Sequence, residues 1–124
     1  MNKWVKAVPK SQLYIEFVKA LNGILDLSDR QMEVLAYLIH IDVSTPKSTV
    51  RSKNVISTAN RKKMIADLKI GADNLSKYIK KFKQMGILIQ GRVEDEVYVN
   101  KALIPEIVGD RVQMTIILKL KNEQ

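Results

Sequence analysis

The strongest constraint on the fold of this chain is a pair of helical segments separated by only three residues. Residues 59–68 and 72–85 carry apolar residues at the three- and four-residue spacing of a helix. Residues 69–71, Lys-Ile-Gly, leave room only for a tight turn between them. Gly86 stands where a left-handed glycine commonly ends a helix. The pattern therefore predicts a helix-turn-helix over residues 59–86.

The second of these segments has two faces of different chemistry. At about 100° per residue, three apolar residues share one side: Leu75, Ile79 and Phe82. The opposite side consists of Asp73, Lys77, Lys80 and Gln84, flanked by Asn74, Ser76 and Lys81. Such a helix is fixed by its apolar side and leaves its polar side free. Tyr78 lies at the margin, where core packing and stacking on an unpaired base are both open interpretations.

Two further helices are predicted ahead of this pair. Residues 11–25 carry one apolar stripe and follow a basic N-terminal arm, residues 1–10. Four residues form a capping box and a hydrophobic staple at the start of the next helix: Leu27, Ser28, Gln31 and Met32. That helix is expected to run from Asp29 to about His40 and to lie at the centre of the core.

The remaining segments are shorter. Residues 42–54 are rich in Ser, Thr and Lys and are predicted as a loop that leads into a short strand at 55–56. Ser57 or Thr58 is then the N-cap of the first helix of the pair.

The chain beyond Gly86 is predicted to be mainly β-structure. Residues 87–93 and 96–100 read as a hairpin around a two-residue turn at 94–95. Residues 103–109 are irregular or form one helical turn, and residues 112–121 alternate strictly enough to predict a terminal strand with one packed face. The fold class is therefore α+β, with about four helices, a hairpin and an extra terminal strand in one domain of 124 residues.

The charge is concentrated in one part of the chain. The formal net charge is +8, from 21 Lys and Arg against 13 Asp and Glu. Residues 47–83 contain eleven basic and two acidic residues, a net of +9, so the rest of the chain sums to −1. A basic surface of this kind favours a polyanion partner, usually nucleic acid. The simpler interpretation is a lysine-rich helix exposed to solvent.

Composition excludes several other classes of function. The chain has no Cys, and its one His, His40, is best explained as a residue at a helix end that the helix dipole favours. No catalytic triad, phosphate-binding glycine loop or metal-ligand spacing is present, so we expect a non-enzyme without a cofactor or metal. The longest apolar run, residues 34–39, is too short to cross a bilayer. The N-terminus lacks a signal peptide, which favours a cytoplasmic protein.

Two helices joined at an Ile-Gly corner and followed by a hairpin resemble a winged helix-turn-helix domain. Residues 27–35, LSDRQMEVL, resemble the second helix of MarR-type regulators, and residues 61–88 resemble a positioning helix, corner and recognition helix. Val97-Tyr98-Val99-Asn100 followed by Leu103 resembles the wing exit of winged-helix replication proteins of plasmids and phages. The resemblance implies that residues 87–100 form the wing and that the partner is double-stranded DNA. The protein would then act in the cytoplasm of a bacterial host, as a transcriptional regulator or a replication-associated factor of a phage or other mobile element.

The resemblance also implies roles for individual residues. At the start of the recognition helix, four residues would face base edges in the major groove: Asp73, Asn74, Ser76 and Lys77. Lys80, Lys81 and Lys83 would meet phosphate, and Gln84 lies on the same exposed side. Arg61, Lys62 and Lys63 would lie over the DNA backbone, and Arg92 would be the wing's basic contact.

The wing leaves a second function open. Its predicted tip carries three consecutive carboxylates, Glu94, Asp95 and Glu96, which DNA phosphates would repel. Either the wing stays off the DNA, or it faces a protein. Together with the outward Ile117, this favours the alternative of a winged-helix module for protein–protein contact in a phage assembly or replication complex. MarR-type regulators dimerise through terminal helices, whereas this chain ends in a predicted strand, so both a homodimer and a monomer remain open.

Overall fold

The computed structural model of the chain describes residues 3–46 and 53–122. Within these residues four α-helices come first, namely α1 (Leu13–Leu25), α2 (Asp29–Ser44), α3 (Thr58–Leu68) and α4 (Ala72–Met85). Two small antiparallel hairpins follow, β1 (Leu88–Gln90) with β2 (Val97–Val99), and β3 (Ile107–Val108) with β4 (Arg111–Val112). The α+β class and the order of helices before hairpin are confirmed. The first two residues of the predicted arm, and Lys47 and Arg51 of the basic segment, lie outside the described residues.

The first half of the core is built by α1 packed against α2. The predicted capping box at the start of α2 is present: the Gln31 amide donates to Ser28 Oγ at 3.2 Å, and the Ser28 amide donates to Gln31 Oε1 at 3.0 Å. Leu27 and Met32 beside it are both buried. The predicted end of α2 at about His40 is wrong, because the helix continues to Ser44 and buries two further residues on its last turns, Ile41 and Asp42.

The helix pair matches the predicted bounds to within one residue, since α3 begins at Thr58 rather than Ala59. Ser57 is the N-cap of α3, since its Oγ accepts a hydrogen bond from the Asn60 amide at 3.2 Å. Lys69 turns the chain with a left-handed φ of 52°, and Ile70 is buried at the corner. Gly86 ends α4 with a φ of 76°, a conformation that costs glycine little. The turn therefore fixes α4 against α3 through an apolar corner.

The first hairpin is held to the helices by a third stretch of extended chain. Leu88 pairs with Val99 and Gln90 with Val97. Residues 53–55 run parallel to β2: the Val55 amide donates to the Val97 carbonyl at 3.0 Å, and the Val97 amide donates to the Lys53 carbonyl at 2.9 Å. The strand expected at residues 55–56 is thus a single bridge centred on Asn54.

The tip of this hairpin differs from the predicted two-residue turn. The last backbone hydrogen bond before the tip joins the Gly91 amide to the Glu96 carbonyl at 2.7 Å. The four residues between them, 92–95, form the loop. Glu-Asp lacks the glycine that favours the tight primed turns, so the chain turns more widely. The Gln90 side-chain amide fills the loop by donating to the carbonyls of Val93, Glu94 and Glu96.

The predicted terminal strand over residues 112–121 is wrong for most of its length. Only Arg111–Val112 form a strand, paired with Ile107–Val108 across a turn in which Gly109 has a φ of 64°. Residues 113–122 have no assigned helix or strand and are exposed. A strand needs a neighbouring strand for its backbone hydrogen bonds, and residues 113–122 have no such neighbour among the described residues.

Candidate nucleic-acid interface

The candidate interface is centred on the exposed side of α4. Leu75, Ile79 and Phe82 are at most 3% exposed and fix the helix to the core. Six of the seven residues predicted on the outward side and its flanks are exposed, and the seventh, Lys81, is half-buried; the exposed six are Asp73, Asn74, Ser76, Lys77, Lys80 and Gln84. The helix carries four lysines and one aspartate, a net charge of +3. The outward side of α4 is therefore a polar, basic surface on a rigidly held helix.

The start of α4 is open to solvent. Its N-cap is Gly71, and no side chain caps the first turn. The unpaired amides of a helix N-terminus carry a partial positive charge. Asn74 and Ser76 next to these amides are short polar side chains that can donate and accept hydrogen bonds. This end of the helix is able to meet an anionic or hydrogen-bonding surface.

Lys81 occupies a different place from the other predicted residues of α4. It is half-buried, and its Nζ donates to Gln31 Oε1 of the α2 capping box at 3.3 Å. This contact ties the middle of α4 to the start of α2. Lys83, by contrast, is exposed near the C-terminal end of α4.

On α3 the three predicted basic residues divide into one anchored and two free side chains. Arg61 is half-buried, and its Nε donates to the Ile56 carbonyl at 2.8 Å. Lys62 and Lys63 are exposed in the first half of the helix. Arg61 therefore stabilises the entry into α3, and the exposed charges are those of the two lysines.

The hairpin tip is less acidic than the sequence suggests. Arg92, Glu94 and Asp95 are exposed, as expected for a solvated loop. Glu96 is only 8% exposed, because its side chain folds back over Gly91. A Cβ added to Gly91 would lie 2.0 Å from Glu96 Oε1, so only glycine leaves room for this arrangement. The predicted cluster of three carboxylates is thus reduced to two at the surface.

The sequence reasoning missed Asp42, which positions the hairpin. Asp42 is 8% exposed, its Oδ2 accepts the Val99 amide at 2.8 Å, and its Oδ1 lies 3.1 Å from Lys53 Nζ. Lys53 also donates to the Asp42 carbonyl at 3.0 Å. One carboxylate therefore joins α2, the extended stretch and β2. The sequence feature that could have revealed this role is an acidic residue between the apolar Ile41 and Val43, at the start of the segment predicted to be a loop. Lys53, counted in the basic segment, is neutralised inside the fold.

Two polar contacts hold α3 against α2. The Tyr37 hydroxyl donates to Asp67 Oδ2, and burial together with this hydrogen bond raises the pKa of Tyr37 to about 12. Arg30 donates to the Leu68 carbonyl at the end of α3 and pairs with Glu33 at 2.7 Å. These contacts orient the helix pair relative to the rest of the core.

Comparison with protein-family models, with curated proteins and with solved structures gave no match to this chain. Among the helices of residues 3–46 and 53–122, none is long and apolar enough to cross a membrane. The surface on α3 and α4 has to be interpreted from its own geometry and charge.

Proposed function

We propose that this chain is a winged-helix protein that binds double-stranded DNA through α4. The observation that supports this most strongly is the division of α4 into a buried apolar side and an exposed side bearing Lys77 and Lys80. A helix about 12 Å across can enter the major groove only if its outward side projects from the domain while its opposite side is packed against the core. The Ile70 corner and the contact of Lys81 with α2 support such a placement.

In this proposal the surface residues have two roles. Asn74 can pair with adenine through two hydrogen bonds, Lys77 can donate to guanine, and Asp73 can accept from cytosine. Lys62, Lys63 and Lys80 supply contacts to phosphate that add affinity without reading sequence. The hairpin is the wing, and Arg92 is the residue of its tip that suits contact with the DNA backbone.

The biological setting proposed is a regulator of transcription or a replication-associated factor of a phage or other mobile element. Its support is the resemblance of residues 27–35 to MarR-type regulators and of residues 97–103 to the wing exit of replication proteins. A bacterial cytoplasm would be the site of action. The choice between regulation and replication depends on which DNA sequences are bound.

The test is a gel-shift titration with duplex of mixed sequence at two salt concentrations, followed by selection of bound sequences from a random pool. We expect retardation that weakens steeply with salt, since each neutralised phosphate contributes about −0.9 to the slope of log K against log salt. The double variant Lys77→Gln, Lys80→Gln should weaken binding and reduce that slope by about one, because Lys80 is the phosphate contact of the two and Lys77 faces a base edge. Lys10→Gln, an exposed lysine ahead of α1, is the control for loss of charge and should leave the slope nearly unchanged. No retardation at low salt would contradict the proposal.

A second candidate function is a protein-contact module of a phage assembly or replication complex. It is favoured by apolar residues at the surface after β4, among which Ile117 is 80% exposed. The two functions differ in what the Lys77→Gln, Lys80→Gln variant loses. If the chain binds DNA, this variant loses DNA affinity. If the chain is a protein-contact module, the variant has no DNA affinity to lose and keeps its protein contact through the C-terminal residues.

A further inference from the structure

The C-terminal part of the chain exposes an unusual amount of apolar surface. Of the thirteen large hydrophobic residues exposed in the described part of the chain, seven lie between positions 107 and 120. These seven are Ile107, Val108, Met114, Ile116, Ile117, Leu118 and Leu120. Leu118 is 84% and Leu120 is 94% exposed. A concentration of exposed apolar residues marks a surface that contacts another molecule.

Residues 112–120 have the alternating pattern of a strand with one buried face. Five apolar residues alternate along one side: Val112, Met114, Ile116, Leu118 and Leu120. The other side consists of Gln113, Thr115, Ile117 and Lys119. An extended chain satisfies its backbone amides and carbonyls only through a neighbouring strand or water. No backbone hydrogen bond joins residues 113–122 to any other described residue.

We infer that residues 112–120 pair with the same residues of a second copy of this chain, as antiparallel strands about a twofold axis through Ile116. In this register Val112 faces Leu120, Met114 faces Leu118, and Ile116 faces its own equivalent. All five apolar residues of each copy then lie on one face of the joint ribbon, because strand side chains alternate with a period of two.

Charge and edge geometry fit the same register. Within residues 112–120, Lys119 is the one charged residue, and it faces Gln113 rather than a second lysine. The same register would place Arg111 opposite Lys121, so the pairing is limited to residues 112–120. Like charges directly opposite would destabilise the pair. Arg111–Val112 already form a strand, which pairs with β3 on one side and has no described neighbour on the other. The extended geometry that the ribbon needs therefore begins within the protomer.

The size of the patch fits a second copy. A large aliphatic side chain removes roughly 100 Å² of apolar surface from water when it is fully buried. The seven exposed residues together offer an apolar area near the roughly 800 Å² per partner that a specific protein interface buries, and four of them, Met114, Ile116, Leu118 and Leu120, lie on the face of the proposed ribbon. A twofold contact joins the same patch of both copies along one edge. Among the described residues of the N-terminal arm, the exposed large hydrophobic side chains are Trp4 and Val5.

Cross-linking tests the register directly, because the chain contains no Cys and one can be introduced at a single position. Ile116→Cys places two thiols opposite each other across the axis, and mild oxidation should give a disulfide-linked dimer. Gln113→Cys is the matched control. Its two thiols would lie six residues apart along the ribbon, about 20 Å, whereas a disulfide needs Cα atoms within about 7 Å.

Sedimentation velocity over a range of protein concentrations provides the second measurement. We expect the native chain and Thr115→Lys to dimerise and Ile116→Lys to remain monomeric, since only the latter brings two new charges together on the apolar face. Cross-linking of the cysteine at 116 but not at 113 would support the proposal. Equal cross-linking at both positions would overturn the register. A native chain that stays monomeric at every concentration would overturn the dimer, and the arm or another protein would then cover the segment.

Discussion

The α4 helix and the segment after β4 are the two most regularly patterned parts of this sequence, and only one of them forms the structure that its pattern predicts. The apolar period of α4 is that of a helix, and the helix spans Ala72–Met85 as predicted. The apolar period of residues 112–121 is that of a strand, yet of these residues only Val112 is in one, as the last residue of β4. The difference lies in where each element finds its hydrogen bonds.

A helix closes its backbone hydrogen bonds within itself, whereas a strand needs a neighbour. For α4, the apolar side only has to meet α3 and the core, and Phe82 is fully buried there. For the C-terminal segment, residues 113–122 pair with no strand among the described residues. The spacing of apolar residues therefore predicts which face of an element is to be buried. It does not predict whether another part of the same chain packs against that face.

The two elements also leave free surfaces of opposite chemistry. The outward side of α4 bears Lys77 and Lys80, while the free segment bears Ile116 and Leu118. The first surface suits a polyanion and the second suits an apolar partner. In our proposals these partners are DNA and a second copy of the chain.

The largest expected effect comes from truncating the buried side of α4. Phe82→Ala should lower the free energy of unfolding by about 3–5 kcal/mol, because it removes a fully buried aromatic side chain and leaves a cavity. Ile116→Ala, 45% exposed in the protomer, should change it by less than about 0.5 kcal/mol. Urea unfolding at low protein concentration, where a dimer would dissociate, measures both. Similar losses for the two variants would show that the C-terminal segment packs onto its own core.

The next effect concerns Asp42, whose carboxylate accepts the amide of Val99 in β2. Asp42→Ala leaves the Val99 amide and the Lys53 ammonium without their partner, and should cost about 2–3 kcal/mol. Amide hydrogen exchange at Val99 should accelerate by more than the loss of global stability explains. Asp110→Ala, whose side chain is 84% exposed, is the control and should change neither quantity. Unaltered exchange at Val99 would indicate that strand pairing alone holds β2.

The same contrast decides how much of the fold was accessible from sequence. Elements whose signals are local were predicted closely: the Ser28 and Gln31 capping box, the bounds of α4 and the left-handed Gly86. Elements that depend on distant residues were not. The extension of α2 to Ser44 rests on burial of Ile41 and Asp42, and no local pattern announces a partner 57 residues away at Val99.

In the candidate site, too, the features that depend on local geometry were predicted and those that depend on distant residues were not. Exposure of the outward residues of α4 follows from helical geometry and was predicted correctly for the six from Asp73 to Gln84. The half-buried positions of Lys81 and Arg61 depend on Gln31 and on the Ile56 carbonyl, which sequence spacing does not bring together. Glu96 is turned inward by the space over Gly91, which only the folded hairpin reveals.

Base reading by α4 gives an effect of intermediate size. If Asn74 and Lys77 face base edges, replacing either with Ala should relax preference at one base position by about 1–3 kcal/mol. Lys62→Ala or Lys63→Ala should weaken all duplexes alike and reduce the salt slope by about one. Competition titrations with selected and random duplexes separate the two outcomes. Uniform weakening by all four variants would restrict α4 to backbone contacts, and none of the four should alter association of the chain with itself.

The smallest effect concerns the hairpin tip, which lies between the two surfaces in the sequence. Glu94 and Asp95 are exposed there, whereas Glu96 is buried and is left unchanged in this test. If the tip lies beside DNA, Glu94→Gln with Asp95→Asn should tighten binding to random duplex by up to about 1 kcal/mol, as for other exposed charges. The gain should shrink as salt rises, since the screening length is about 10 Å at 0.1 M. Glu106→Gln with Asp110→Asn removes the same charge from exposed positions outside this hairpin and is the control. Equal gains for both pairs would reflect net charge alone. No gain for either would place the tip away from the duplex, where its carboxylates are free to meet a basic protein surface.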